Sequence, residues 1–225
     1  MPTRREVIAL AVSGFASARA AAPAMSRLET RLFNFRPSVA AEDQRDILAR
    51  LATLSKDPGL GGFMVGRNIV TIPWPTRFEW MYMVQLDAPK ASTRFSTLRD
   101  ALAAQCSSAV TCDLHCKLPV RYADGAGVKI RHTVMFNFKP SATAEARQRN
   151  IAAIRAMGKL PMVQRYLVEP SAGGVADPDQ MQWQVTGDFA SMADYTAYSQ
   201  APVHLAIRKD FTENTTRVTF LDVAL

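Results

Sequence analysis

The hexapeptide Phe33-Asn34-Phe35-Arg36-Pro37-Ser38 returns 103 positions later as Phe136-Asn137-Phe138-Lys139-Pro140-Ser141. The same offset pairs Ala41-Glu42 with Ala144-Glu145 and Trp80 with Trp183. It also sets Leu48, Leu51 and Leu54 against Ile151, Ile154 and Met157, apolar positions that recur at helical spacing. Identity and periodicity kept together over such a distance mark two copies of one unit, each of about 100 residues. Between them Asp124-Gly125-Ala126-Gly127 is the turn-forming centre of a linker. The 225 residues then divide into a leader over 1–24, a first copy over 25–118, a linker over 119–129 and a second copy over 130–225.

Each copy reads β-α-β-β-α-β. In the second, Ile130 to Phe138 alternates and is rich in branched and aromatic residues, the pattern of a strand, and Pro140-Ser141 ends it. Ala144 to Met157 carries the spacing of an amphipathic helix, with Gly158 as its stop. Strands are expected over Met162 to Val168, Met181 to Phe189 and Arg217 to Val223. Helices are expected over Ser191 to Ser199 and from Pro202 onward. The first copy follows the same order, and that order is the ferredoxin-like split βαβ arrangement. The fold class is therefore α+β. A four-stranded sheet with helices on one face leaves its other face to be covered, and the second copy is the available cover. Two sheets face to face would close a barrel within one chain. His132, Val134 and Phe136 on one strand, with Trp183, Val185 and Phe189 on another, would line a pocket inside it.

The leader opens with Arg4-Arg5 followed by the apolar Val7-Ile8. It continues through a mildly apolar stretch rich in Ala, Ser and Gly and ends in small residues. Ala20-Ala21-Ala22 and Ala22-Pro23-Ala24 both fit an A-x-A cleavage rule. This resembles a twin-arginine export signal and leads us to expect a periplasmic protein; a start at Met25 would instead leave it cytoplasmic. The chain carries 27 Lys and Arg against 20 Asp and Glu, a net +7 that falls to +5 once the leader is removed. No basic run interleaved with aromatics accompanies that charge, so a nucleic-acid surface is not indicated. Nor does any apolar run approach the ~20 residues needed to span a bilayer.

Three stretches carry a family resemblance: Ile130-Arg131-His132-Thr133-Val134-Met135-Phe136-Asn137-Phe138-Lys139, the strand around Trp183, and Tyr198-Ser199-Gln200-Ala201-Pro202-Val203-His204. Through them the second copy resembles the stress-responsive A/B barrel (Dabb) family of dimeric α+β barrels, and the first copy does so more faintly. In a plant polyketide cyclase of that family, the counterparts of His132, Tyr198 and His204 sit in the active-site cavity. The resemblance implies the same three as catalytic residues here, with Val134 beside them. Val134, Phe136, Trp183 and Val185 make up the expected substrate-pocket set. It implies a barrel more firmly than a reaction, since fold does not fix function.

The residues themselves allow a weighing. Pro202 at the start of a helix puts His204 in the first turn, where the positive end of the helix dipole favours the neutral imidazole. A neutral base beside a phenol such as Tyr198 suits enolisation next to a carbonyl, with the phenol stabilising the oxyanion. The bland alternative makes His132 a satisfied core histidine and Tyr198 a space filler. In the first copy the offset puts Glu29, Phe95 and Ala101 at the three positions, so any site belongs to the second copy.

Cys106, Cys112, His115 and Cys116 lie close together, yet they contain no C-x-x-C pair. A disulfide is expected ahead of a metal site, with simple burial equally open. No phosphate-binding glycine loop, G-x-S-x-G elbow or zinc-protease motif occurs, so no cofactor is expected. The expected function is binding of a small hydrophobic carbonyl or phenolic molecule, with cofactor-free proton transfer of the cyclase, lyase or isomerase type. The competing class is a non-catalytic stress or structural barrel. A cofactor-free monooxygenase shares the barrel type but has no residue set here to support it. With the barrel closed inside the chain, a monomer is expected, and its partner is a small-molecule ligand.

Overall fold

The computed structural model describes residues 26–69, 78–86, 93–116, 127–173 and 178–225. The leader and most of the linker lie outside them. The first unit runs β1 (Arg27–Phe35), α1 (Ala41–Ala52), a 3-10 turn (Thr53–Lys56), β2 (Gly62–Arg67), β3 (Trp80–Leu86), α2 (Thr93–Gln105) and β4 (Cys106–Leu114). The second runs β5 (Ile130–Phe138), α3 (Ala144–Met157), β6 (Arg165–Pro170), β7 (Trp183–Phe189), α4 (Met192–Gln200), α5 (Pro202–Asn214) and β8 (Thr215–Ala224). Both sheets are antiparallel, in the orders β2-β3-β1-β4 and β6-β7-β5-β8. These are two ferredoxin-like halves in one chain.

Local chemistry sets the elements of the second unit. Thr143 caps α3 by accepting from the Ala146 amide, and Ser191 caps α4 by accepting from that of Asp194. Ala201, extended before Pro202, breaks the chain between α4 and α5. Gly158 ends α3 with ordinary helical angles, so it is not there for a left-handed turn. A Cβ at that position would stand 2.7 Å from the Tyr166 Cβ, and it is this close approach of β6 that calls for glycine.

The sheets meet along two seams. On one, the Ile69 amide donates to the Asp222 carbonyl at 2.9 Å and Asn68 bridges Val223, joining the end of β2 to β8. On the other, Thr111 of β4 accepts from the Met181 amide at 2.7 Å and donates to the Asp179 carbonyl at 2.9 Å. Between the sheets lies a core drawn from both units, including Leu28, Leu32, Met81, Met83, Met135, Leu221 and Val223. Each unit also has a core of its own between sheet and helices. Each sheet is thus covered on both faces, and the barrel closes within the chain.

The expected lining of that barrel needs correction. His132 pairs with Asp222 and faces the helices, and Val134, Phe136, Val185 and Phe189 pack with α3, α4 and α5. The barrel side of β5 carries Arg131 and Met135 instead. There Arg131 forms a fully buried ion pair with Asp188 (Nε to Oδ1 2.8 Å), with the Met64 and Met83 sulfurs 3.6 and 3.5 Å from its Nη1. The pocket therefore belongs under the helices of the second unit rather than between the sheets.

The cysteines are free thiols. A register shift between Asn34 and Phe35 turns β4, so Cys106 packs on the helix side while Cys112 enters the inter-sheet core. Cysteines on opposite faces of one strand cannot bridge, which rules out Cys106 with Cys112. Cys116 is free as well, so of the two expected outcomes, a bridge from Cys106 to Cys112 or Cys116 and simple burial, the structure shows unbridged thiols. Among the described residues no group of three or more His, Cys, Asp or Glu is arranged to hold a metal.

Candidate functional site

Helices α4 and α5 stand off β5 and β8 and leave a cavity of about 580 Å³. His132, Val134, Tyr195, Tyr198, His204, Arg208, Phe211, Val218 and Phe220 are among its lining residues. A smaller chamber of about 80 Å³ shares His132, Val134, Tyr198, His204, Arg208 and Phe211 and adds Tyr166 and Val185. The three residues singled out as catalytic thus face one space. Of the expected pocket set, Val134 lines both chambers and Val185 only the smaller one. Phe136 and Trp183 line neither, being stacked on each other at 6.4 Å as the floor of the helix-side core.

The register explains His132. It lies directly across from Asp222 on β8, and its Nδ1 meets Asp222 Oδ1 at 2.6 Å. The other oxygen, Oδ2, accepts from the Tyr195 hydroxyl at 3.1 Å. Asp222 is fully buried, and these two bonds satisfy its carboxylate. A carboxylate at Nδ1 fixes the tautomer with the proton on Nδ1, leaving Nε2 as the ring nitrogen able to exchange a proton with a ligand.

Tyr198 sits centrally. Its hydroxyl is 2.8 Å from that of Tyr166, its ring centroid is 5.0 Å from that of His204 and 6.1 Å from that of His132. Burial pushes the Tyr198 phenol up to about 12, helped by the Asp222 charge and opposed by the bond from Tyr166. Tyr166 and Tyr195 are also pushed up, again chiefly by burial. All three phenols remain protonated at neutral pH and act as donors.

His204 is the third residue of α5, after Pro202 at the first position. Its imidazole is held down at about 4 by burial first, then by His132 and Arg208, with the nearby Ser199 carbonyl pulling the other way. Its Nδ1 is buried and without a hydrogen-bond partner. A neutral histidine that lines a cavity can take a proton or a hydrogen bond from a ligand there.

Sequence reasoning missed Asp222, Tyr195, Tyr166 and Arg208. Asp222 had one signal: a lone carboxylate in the apolar run Val218 to Leu225 must be exposed or paired. In the first unit the equivalent pair is Glu29 and Asp113, which face each other on β1 and β4. His132 stands 103 positions after Glu29, whereas Asp222 stands 109 after Asp113. The added residues fall in the helical stretch, where one helix, α2, replaces α4 and α5. The offset that matched Ala101 with His204 therefore lapses there. Phe63, Tyr82 and Phe95 fill the space under α2, and Glu29 accepts from Tyr82 at 2.5 Å. That half is packed where the other is hollow.

The fold and cavity define a tandem α+β barrel in which one ferredoxin-like half carries the candidate site and the other braces it. Residues 130–225 match the family model described as Stress responsive A/B Barrel Domain. Among solved structures, an anthrone oxidase-like protein superposes with a TM-score of 0.60 at 12% identity, covering 89% of this chain and 91% of that one. A candidate monooxygenase from Fusobacterium nucleatum gives 0.57 at 7% identity, over 89% and 92%. Another from Lactobacillus acidophilus gives 0.52 at 10% identity, over 88% and 93%. Identities this low establish a shared fold across both halves, and nothing about the reaction. No curated protein matches the chain in sequence.

Proposed function

We propose that the cavity under α4 and α5 binds a small hydrophobic carbonyl or phenolic molecule and moves a proton on it without a cofactor. The observation that carries this is the convergence of His132, Tyr198 and His204 on one largely apolar space of about 580 Å³, the size of a small-molecule site. In this reading neutral His204 takes a proton from the carbon beside the carbonyl. The oxyanion that develops accepts a hydrogen bond from Tyr198. Tyr166, by donating into the Tyr198 oxygen, leaves the Tyr198 proton for the ligand; without one it has only the weak acceptor Met157 Sδ at 3.9 Å. His132, fixed by Asp222, orients the ligand and offers Nε2 as a second acceptor. The chain works as a monomer whose first unit stands where a partner subunit would, and as an exported protein after cleavage of its leader.

Binding tests the first step. Titration of 4′-hydroxyvalerophenone, a phenolic ketone, should give saturable binding to the wild type. The binding should weaken in His204→Ala and be lost in Val134→Phe, which fills both chambers. Absence of binding, or affinity unaltered by both substitutions, contradicts the assignment.

A further inference from the structure

We propose that the molecule held in this cavity is an amphipathic carboxylic acid, with its apolar body inside and its carboxylate on Arg208. This rests on the ligand-binding reading above and narrows its substrate class.

The charges of the lining carry the inference. Two guanidinium groups, Arg208 and Arg217, line the larger chamber, and no Asp or Glu does. The one carboxylate behind the wall, Asp222, already has both oxygens engaged by His132 and Tyr195. On α5 itself, Asp210 is held by Asn150 and Asn214 at 2.9 and 3.0 Å. Arg208 makes no ion pair among the described residues. Arg208 is exposed, so it borders both solvent and the cavity and keeps its charge available to an anion at the cavity mouth.

Position supports the same conclusion. Arg208 follows His204 by one turn of α5, and residues four apart share a helix face. It borders the small chamber as well as the large one, so it reaches the end where Tyr198 and the histidines meet. Its charge is also among the forces that keep His204 neutral, which places the two groups within electrostatic reach. A bound carboxylate would offset that charge where it matters to the base. Arg217 adds to the positive field from the opposite wall. It sits at the bulge in β8, where the register against β5 shifts, and at φ 49 it is the one non-glycine residue with positive φ among the described residues. Its guanidinium donates to the Pro178 carbonyl, which leaves its charge uncompensated. A planar guanidinium with free donors matches the two oxygens of a carboxylate.

Calorimetric titration of 4-butylbenzoate and of methyl 4-butylbenzoate, at neutral pH, separates charge from shape. The wild type should bind the acid tighter than the ester by about two- to five-fold, the effect of an ion pair at an exposed arginine. Arg208→Gln should remove most of that preference, whereas Lys209→Gln, a neighbouring and equally exposed cation that lines neither chamber, should keep it. Equal affinity for acid and ester in the wild type overturns the proposal, and so does a preference that survives Arg208→Gln. If the ester and 4′-hydroxyvalerophenone bind while the acid is not preferred, this inference alone falls. If none of the three binds, the cavity reading falls with it.

Discussion

Replacing Asp222 by Asn keeps shape and removes charge at the residue that organises the site. In the wild type its two oxygens accept from His132 at 2.6 Å and Tyr195 at 3.1 Å, with Asp222 fully buried. An amide offers one acceptor oxygen and turns an NH2 toward the other partner. One of the two bonds is therefore lost, and the remaining one is no longer charge-assisted. Hydrogen bonds to charged groups contribute about 1.5–3 kcal/mol each, against about 1 kcal/mol for neutral ones. The net loss is then roughly 2–4 kcal/mol. In a chain of this size 1 kcal/mol moves Tm by about 2–4 °C, so a fall of roughly 4–16 °C is expected. Thermal unfolding followed by circular dichroism measures it. Long-range nitrogen–proton NMR correlations should show His132 protonated on Nδ1 in the wild type and shifted toward the other tautomer in the variant. An unchanged Tm together with an unchanged tautomer would refute the role given to Asp222.

Other consequences are open to measurement. Gly158→Ala drives a Cβ to 2.7 Å from Tyr166 and should cost about 1–3 kcal/mol while loosening the Tyr166–Tyr198 bond, read by thermal unfolding and by the Tyr198 hydroxyl environment. Because His204 is depressed to about 4 in the folded chain, the unfolded chain takes up the proton first as pH falls. Stability should therefore drop as pH falls from the ordinary histidine range toward 4, and His204→Gln should remove part of that slope in denaturant titrations. Arg131→Ala removes the buried ion pair's cation from beside Asp188 and should cost about 3–5 kcal/mol, while the double change Arg131→Met, Asp188→Leu should recover most of it. Light scattering should give the mass of one chain, at or below 24.8 kDa; twice that mass would contradict the monomer proposal.

The repeat made the architecture legible. Phe33-Asn34-Phe35 and its echo located both opening strands, and β5 and α3 match their expected limits, Ile130 to Phe138 and Ala144 to Met157. Alternation could not say which face of β5 the helices would cover. Arg131, His132 and Thr133 are consecutive and all buried, because the second sheet is covered on both sides. A strand buried on both faces loses the polar alternation that would have told inside from outside. Asp222 was hidden differently. It lies 90 positions from His132, and their meeting depends on the β5–β8 register, which the shifted offset in the helical stretch concealed. Arg208 was unremarkable in sequence; its lack of an acidic partner is visible only once the surrounding side chains are placed.

The most direct test of the central claim is proton exchange itself. 4′-Hydroxyvalerophenone in D2O with the wild-type protein should gain deuterium at the carbon beside its carbonyl faster than in buffer, with a rate that saturates in ketone. His204→Ala and Tyr198→Phe should each slow that exchange by about ten-fold or more. Exchange no faster than in buffer, or as fast in both variants as in the wild type, would contradict the claim that this cavity moves protons.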